Sequence, residues 1–121
     1  MEERRKFVRL DTRLPVSYQI TRVPASKASL SSDIGGGGVC LFLTEPLKSG
    51  TVLRIEVTLP DQPKPITFTG EVVWCEQYEM IGKTQHDRSV EAGIKFVQIQ
   101  PHEQQAIMRH VILSLQPQPP A

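Results

Sequence analysis

Leu14, Val16, Tyr18 and Ile20 alternate with Pro15, Ser17 and Gln19. A period of two turns one set of side chains toward a core and the other toward solvent, so this spacing predicts a half-buried strand. Ala28 to Ile34 is a second, weaker candidate, and Val39 to Leu43 is a short apolar run of buried-strand type. Val52, Ile55, Val57 and Leu59 mark a fourth strand, which ends at the turn Pro60-Asp61-Gln62-Pro63-Lys64-Pro65. Ile66 to Glu76, rich in β-branched and aromatic residues, is a fifth, and Ala92 to Ile99 a sixth. Between these two, Gln77 to Val90 is polar and too long for a tight hairpin, which predicts a mobile connection. The period then changes. Ile107, Met108, Val111, Ile112 and Leu115 fall on one face of an α-helix, with Pro101 in its first turn, where a missing N–H costs nothing. The tail from Gln116 to Ala121 contains three prolines and cannot continue the helix.

Six short strands followed by one amphipathic helix predict an all-β fold with one helix. The arrangement expected is a closed or half-closed six-stranded antiparallel β-barrel, its open end plugged by the C-terminal α-helix. A chain of 121 residues, 39% of them hydrophobic, fits one domain with a real core. Within it we expect a flexible arginine segment over 1–12, the barrel over 13–100, the helix over 101–115 and a disordered tail over 116–121. No apolar run approaches the length of a membrane span, and the charged N-terminus lacks the apolar stretch of a signal peptide, so a cytoplasmic location is expected. The two cysteines, Cys40 and Cys75, lie in apolar strand-like surroundings without CxxC spacing, which favours buried reduced thiols over a metal site.

Charge is unevenly placed. The stretch Arg4-Arg5-Lys6-Phe7-Val8-Arg9-Leu10 holds four of the fourteen Lys and Arg residues, in a chain whose net charge is only +1. A groove for long nucleic acid spreads its cations along a face, because each neutralised phosphate contributes separately. Cations gathered at one end suit a compact anion, or a solvated tail. The second unusual stretch is Asp33-Ile34-Gly35-Gly36-Gly37-Gly38. Four successive glycines cost conformational entropy on folding. They serve either a turn that needs positive φ or a close approach of a ligand to the backbone. A Walker-type loop is excluded, since no Lys-Ser/Thr follows, and Val39-Cys40-Leu41-Phe42-Leu43 reads as a strand, not a helix.

Arg5-Lys6-Phe7-Val8-Arg9 and Asp33-Ile34-Gly35-Gly36-Gly37-Gly38, in this order, resemble the paired motifs RxxxR and D/N-x-S-x-x-G of the PilZ domains, bacterial receptors for cyclic di-GMP. The likeness continues through Gly70-Glu71-Val72-Val73-Trp74 and Ala92-Gly93-Ile94-Lys95-Phe96 into the terminal helix, covering residues 4 to about 115. It implies a six-stranded β-barrel with a C-terminal helix, in accord with the strand pattern. It also implies a receptor or adaptor domain: cyclic di-GMP binds, the N-terminal segment changes conformation, and a protein partner reads the change. The site residues so implied are Arg5 and Arg9 on guanine and phosphate, Asp33 on the guanine N–H edge, Gly38 where backbone approaches or turns freely, and Arg4 as an added contact. The chemistry is apt, because an arginine fork matches guanine O6 and N7 and its plane stacks on bases, which lysine does less well.

Gly35 stands where the family has serine. One neutral hydrogen bond is worth about 1 kcal/mol against about 8 for a micromolar complex, so its loss should weaken binding without abolishing it. The alternative is a degenerate PilZ-like domain that binds no nucleotide and acts through protein contacts alone. A small barrel for single-stranded nucleic acid is disfavoured, because cations and aromatics do not interleave along the strands. His86, His102 and His110 read as surface residues, and Trp74 as packing at the core or barrel rim. No catalytic constellation stands out. We therefore expect no enzyme, no cofactor, no metal, no membrane insertion and a monomer.

Overall fold

The computed structural model describes residues 9–81 and 86–115. In chain order the elements are β1 (Arg9–Asp11), β2 (Pro15–Ile20), β3 (Ser26–Gly35), β4 (Gly38–Leu43), β5 (Val52–Val57), β6 (Ile66–Ile81), β7 (His86–Gln98) and α1 (Pro101–Leu115). All strand pairs are antiparallel, in the order β1-β3-β2-β5-β6-β7-β4, and a further β3–β4 pairing closes the ring. The expected barrel is therefore present: β2 to β7 form a closed six-stranded antiparallel wall, with β1 as an extra short strand.

Alternation builds the interior. Val16 and Tyr18 from β2, Val39, Leu41 and Leu43 from β4, Leu53, Ile55 and Val57 from β5 and Phe68 and Val72 from β6 are all buried in one cluster. The helix closes it with Ile107 and Val111, which are 0% and 2% exposed. Polar contacts near its start help to fix the helix: Thr67 N–H donates to Glu103 Oε2 at 3.0 Å, and Gln104 Nε2 donates to the carbonyl of Gly36 at 2.6 Å. Ile112, assigned to the apolar face from its spacing, is instead 55% exposed, because the contact face narrows to Ile107 and Val111 as the helix ends.

Three other expectations change. The arginine segment is not free to its end: Arg9, Leu10 and Asp11 pair with Gly35, Ile34 and Asp33, and half-buried Leu10 packs against the core. A single apolar residue among charges carries too little periodicity to announce that strand. The stretch 77–90 is not a long loop, since β6 runs to Ile81 and β7 starts at His86, paired down to Ile81↔His86. β5 stops at Val52↔Glu71 and β4 at Leu43↔Val90. Beyond those rungs there is no barrel interior to bury alternate residues, so the hairpin extension has no apolar alternation to read. Third, the His110 side chain is only 12% exposed, with Nδ1 3.7 Å from Asp61 Oδ1, and Cys75 is only partly buried while Cys40 is fully so.

β1 and β2 lie end to end along β3, and Ser31 makes the join. It is 0% exposed; its Oγ accepts from Leu14 N–H at 2.9 Å and donates to the Thr12 carbonyl. A buried hydroxyl with both partners supplied satisfies the backbone groups that the break would leave unpaired. The β3–β4 register shifts between Ser31 and Asp33. This bulge turns Asp33 onto the outer face of the wall.

Candidate functional site

The outward positions of four strands form one rung across the barrel wall. Asp33 of β3 faces Cys40 of β4, Cys40 faces Gly93 of β7, and Gly93 faces Trp74 of β6. Arg9, from β1, lies over the start of this rung. Its Nη1 donates to Asp33 Oδ1 at 2.9 Å and to Cys40 Sγ at 3.5 Å. Arg9 and Asp33 come from motifs separated by 24 residues, and their side chains are 25% and 16% exposed. Burial, followed by the Asp33 carboxylate, pushes the Cys40 thiol up to about 11, against the lowering effect of Arg9. Cys40 is thus a neutral floor group, not a nucleophile.

The floor is low because side chains are missing. A Cβ on Gly93 would lie 2.2 Å from Trp74 Nε1 and 2.5 Å from Cε2, so the indole rests directly against that glycine. Trp74 is nevertheless 39% exposed. A register shift between Val72 and Trp74 places Trp74 outside the barrel, so the expectation of core or rim packing gives way to a platform on the outer wall. At Gly38 a Cβ would meet the Ile94 carbonyl oxygen at 2.2 Å. The backbone that approaches here is β7's own. Among the described residues only Arg22 and Gly50 have positive φ, so no glycine from 35 to 38 is explained by a left-handed turn.

Of the residues singled out from sequence, Arg9, Asp33, Gly35 and Gly38 gather on this face. Gly35 is the register partner of Arg9, and Gly38 opens β4 opposite Lys95. Arg4 and Arg5 lie outside the described residues. Sequence reasoning missed Cys40, Phe42, Gly93, Arg13 and Lys95. Phe42 belongs to a run of buried-strand type, yet it is the outward, half-buried member of β4, with the Arg13 guanidinium 5.1 Å from its ring centroid. Period two within Val39–Leu43 was the signal available for it. Lys95 is exposed and 3.9 Å from Glu71.

The face therefore offers a flat indole, a low floor, a carboxylate and guanidinium groups within adjacent rungs. That set can hold a planar, anionic, hydrogen-bonding ligand: cations for charge, a carboxylate for N–H donors, aromatic and guanidinium planes for stacking. A separate open depression of about 300 Å³ is lined by Arg54, Thr67, Thr69, Gln98, Gln100 and Glu103, among others. Its carboxylate, Glu103, is already occupied by a backbone N–H, and it contains none of the motif residues.

The family described as PilZ domain matches residues 3–113. Among solved structures, the chain is similar to the Bacillus subtilis inhibitor of motility MotI/DgrA, at 24% identity and TM-score 0.73, covering 93% of this chain and 52% of that one. It is similar to the PilZ domain of YcgR from Escherichia coli, solved with c-di-GMP, at 17% identity and TM-score 0.73, covering 93% and 92%. It is also similar to the K. pneumonia MrkH-c-di-GMP complex, at 16% identity and TM-score 0.72, covering 94% and 52%. The chain thus spans about half the length of the first and third of these proteins. No curated protein matches it.

Proposed function

The chain belongs to the PilZ domain family, and from that premise we propose that it is a cytoplasmic receptor domain for cyclic di-GMP that reports binding to a protein partner. The observation that carries the reading is the meeting of Arg9 and Asp33 at 2.9 Å above the Cys40–Gly93 floor. A guanidinium and a carboxylate from two distant motifs converge there beside an exposed indole. In the free chain they neutralise each other. Guanine can take over both: its O6 and N7 accept from the arginine fork, and its N–H edge donates to the carboxylate. Arg4 and Arg5 would close over the phosphates, and Trp74 would stack on a base.

Signalling follows from the same exchange. When the ligand replaces Asp33 as the partner of Arg9, its phosphates draw in Arg4 and Arg5 of the segment before β1. A partner surface then reads the repositioned segment. No bond is made or broken, and no enzyme activity is proposed. The second reading, a domain working through protein contacts alone, rests on Gly35, which cannot supply the hydroxyl of the family serine.

Trp74 is the chain's single tryptophan, which makes the test direct. Cyclic di-GMP should change its emission saturably at micromolar concentration, while GTP and a short oligonucleotide should not. Equal responses to GTP would remove the receptor reading. A response to the oligonucleotide alone would favour a single-strand binder.

A further inference from the structure

Arg13 is held more firmly than an exposed surface arginine has reason to be. Its backbone is pinned on both sides: Thr12 N–H donates to the Ser32 carbonyl at 3.2 Å, and Leu14 N–H to Ser31 Oγ at 2.9 Å. Its side chain is pinned as well, with Nη1 donating to the Ser32 carbonyl at 2.9 Å and Cζ 5.1 Å from the Phe42 ring centroid. Despite four constraints the residue stays exposed. The guanidinium carbon lies over the Phe42 ring, and the side chain keeps its exposure to solvent.

Its place on the wall matters. The carbonyl that anchors Arg13 belongs to the residue before Asp33, and Phe42 is the next outward position after Cys40 on β4. Outward residues two apart on a strand are about 7 Å apart. A base seated over the Asp33–Cys40–Gly93 rung therefore lies within reach of a group standing over the Phe42 rung. We propose that Arg13 is a further ligand-binding residue, a preordered guanidinium that carries a guanine base on its outer face in an aromatic–guanidinium–base stack. This rests on the receptor reading above. The warrant is that guanidinium planes stack on aromatic rings and bases alike. A side chain already ordered in the free protein also loses little further freedom on binding.

The test is calorimetric titration of cyclic di-GMP into the wild-type chain and the variants Arg13→Ala, Arg13→Lys and Phe42→Leu, with melting temperatures measured alongside. Arg13→Ala should weaken binding about fivefold or more. Arg13→Lys, which keeps the charge and loses the plane, should not restore it. Phe42→Leu leaves Arg13 and its bond to Ser32 in place and should cost about two- to fivefold. If Arg13→Ala proves too unstable to titrate, the other two variants decide. Wild-type affinity in Arg13→Ala, or full recovery in Arg13→Lys, overturns the stacked role, and lowered melting with unchanged affinity marks Arg13 as a clamp on the bulge. An absence of binding by the wild-type chain would instead overturn the receptor reading, and this inference with it.

Discussion

Replacing Gly93 by alanine tests the platform from below. The added Cβ would sit 2.2 Å from Trp74 Nε1, 2.5 Å from Cε2 and 2.9 Å from Cδ1. Ordinary contact needs about 3.5 Å, so the indole must lift off the sheet by about 1 Å or more. Forcing a group into filled space costs about 1–3 kcal/mol. Alanine in an extended strand recovers about 0.5–1 kcal/mol that glycine loses in ordering. The net destabilisation should be about 0.5–2 kcal/mol, which for a chain of this size lowers melting by about 2–10 °C. Gly38→Ala should be worse. Its obstacle is the Ile94 carbonyl, with Ile94 C at 3.2 Å and Lys95 Cα at 3.3 Å behind it. Backbone inside the β4–β7 ladder cannot swing aside as a half-exposed ring can, so breaking two or three ladder bonds costs about 3 kcal/mol. Melting followed by circular dichroism, with Trp74 emission recorded in parallel, reads both effects. Unchanged emission and melting in Gly93→Ala would refute the stacking of Trp74 on that glycine. A smaller loss in Gly38→Ala than in Gly93→Ala would refute the distinction between backbone and side-chain obstruction.

Asp33→Ala should weaken cyclic di-GMP binding by more than tenfold, since a carboxylate facing guanine donors has no neutral substitute; unchanged affinity in a titration would show that Asp33 does not face the ligand. Gly35→Ser should tighten binding by a few-fold, because position 35 does not need positive φ and regains a hydroxyl; weaker binding with unchanged melting would mark the glycine as an adaptation of this site. Cys40 should contribute a fall in stability at alkaline pH. Its thiol is held up to about 11 in the folded chain and ionises near 9 when unfolded. The protonated form is thus favoured by folding, an advantage complete below about pH 9 and lost as pH rises to about 11. Denaturant melts across that range should show a steeper fall in the wild-type chain than in Cys40→Ala.

Much of the barrel was legible because its strands obey one rule. Leu14 to Tyr18, Leu53 to Val57 and Ile66 to Val72 each have a clear inside and outside, and burial follows it residue by residue. What escaped was whatever had no inside to face. β1 is a three-residue strand carrying two charges, and the outer part of the β6–β7 hairpin extends past the barrel wall. The site was half legible for a related reason. Arg9 and Asp33 stand in motifs that can be read along the chain. Trp74 over Gly93 is a cross-strand pair and Arg13 over Phe42 a contact from the β1–β2 join to β4, set by the register of the sheet and by its shifts near Ser32 and Val73. One-residue register shifts are set by the folded sheet and leave no periodic trace in the chain.

The same geometry qualifies the N-terminal segment. Arg9 is tied to Asp33 before any ligand arrives. Arg9→Ala should then cost a modest part of stability, about 1 kcal/mol for a partly exposed ion pair, together with most of the affinity. The measurement that bears most directly on the receptor claim is calorimetric titration of cyclic di-GMP into the wild-type chain and Arg9→Ala at low and high salt. The account predicts micromolar or tighter binding by the wild type, weakening as salt rises, and none detectable in Arg9→Ala. Absent heat, heat equal to that from GTP, or wild-type affinity in a folded Arg9→Ala would contradict it.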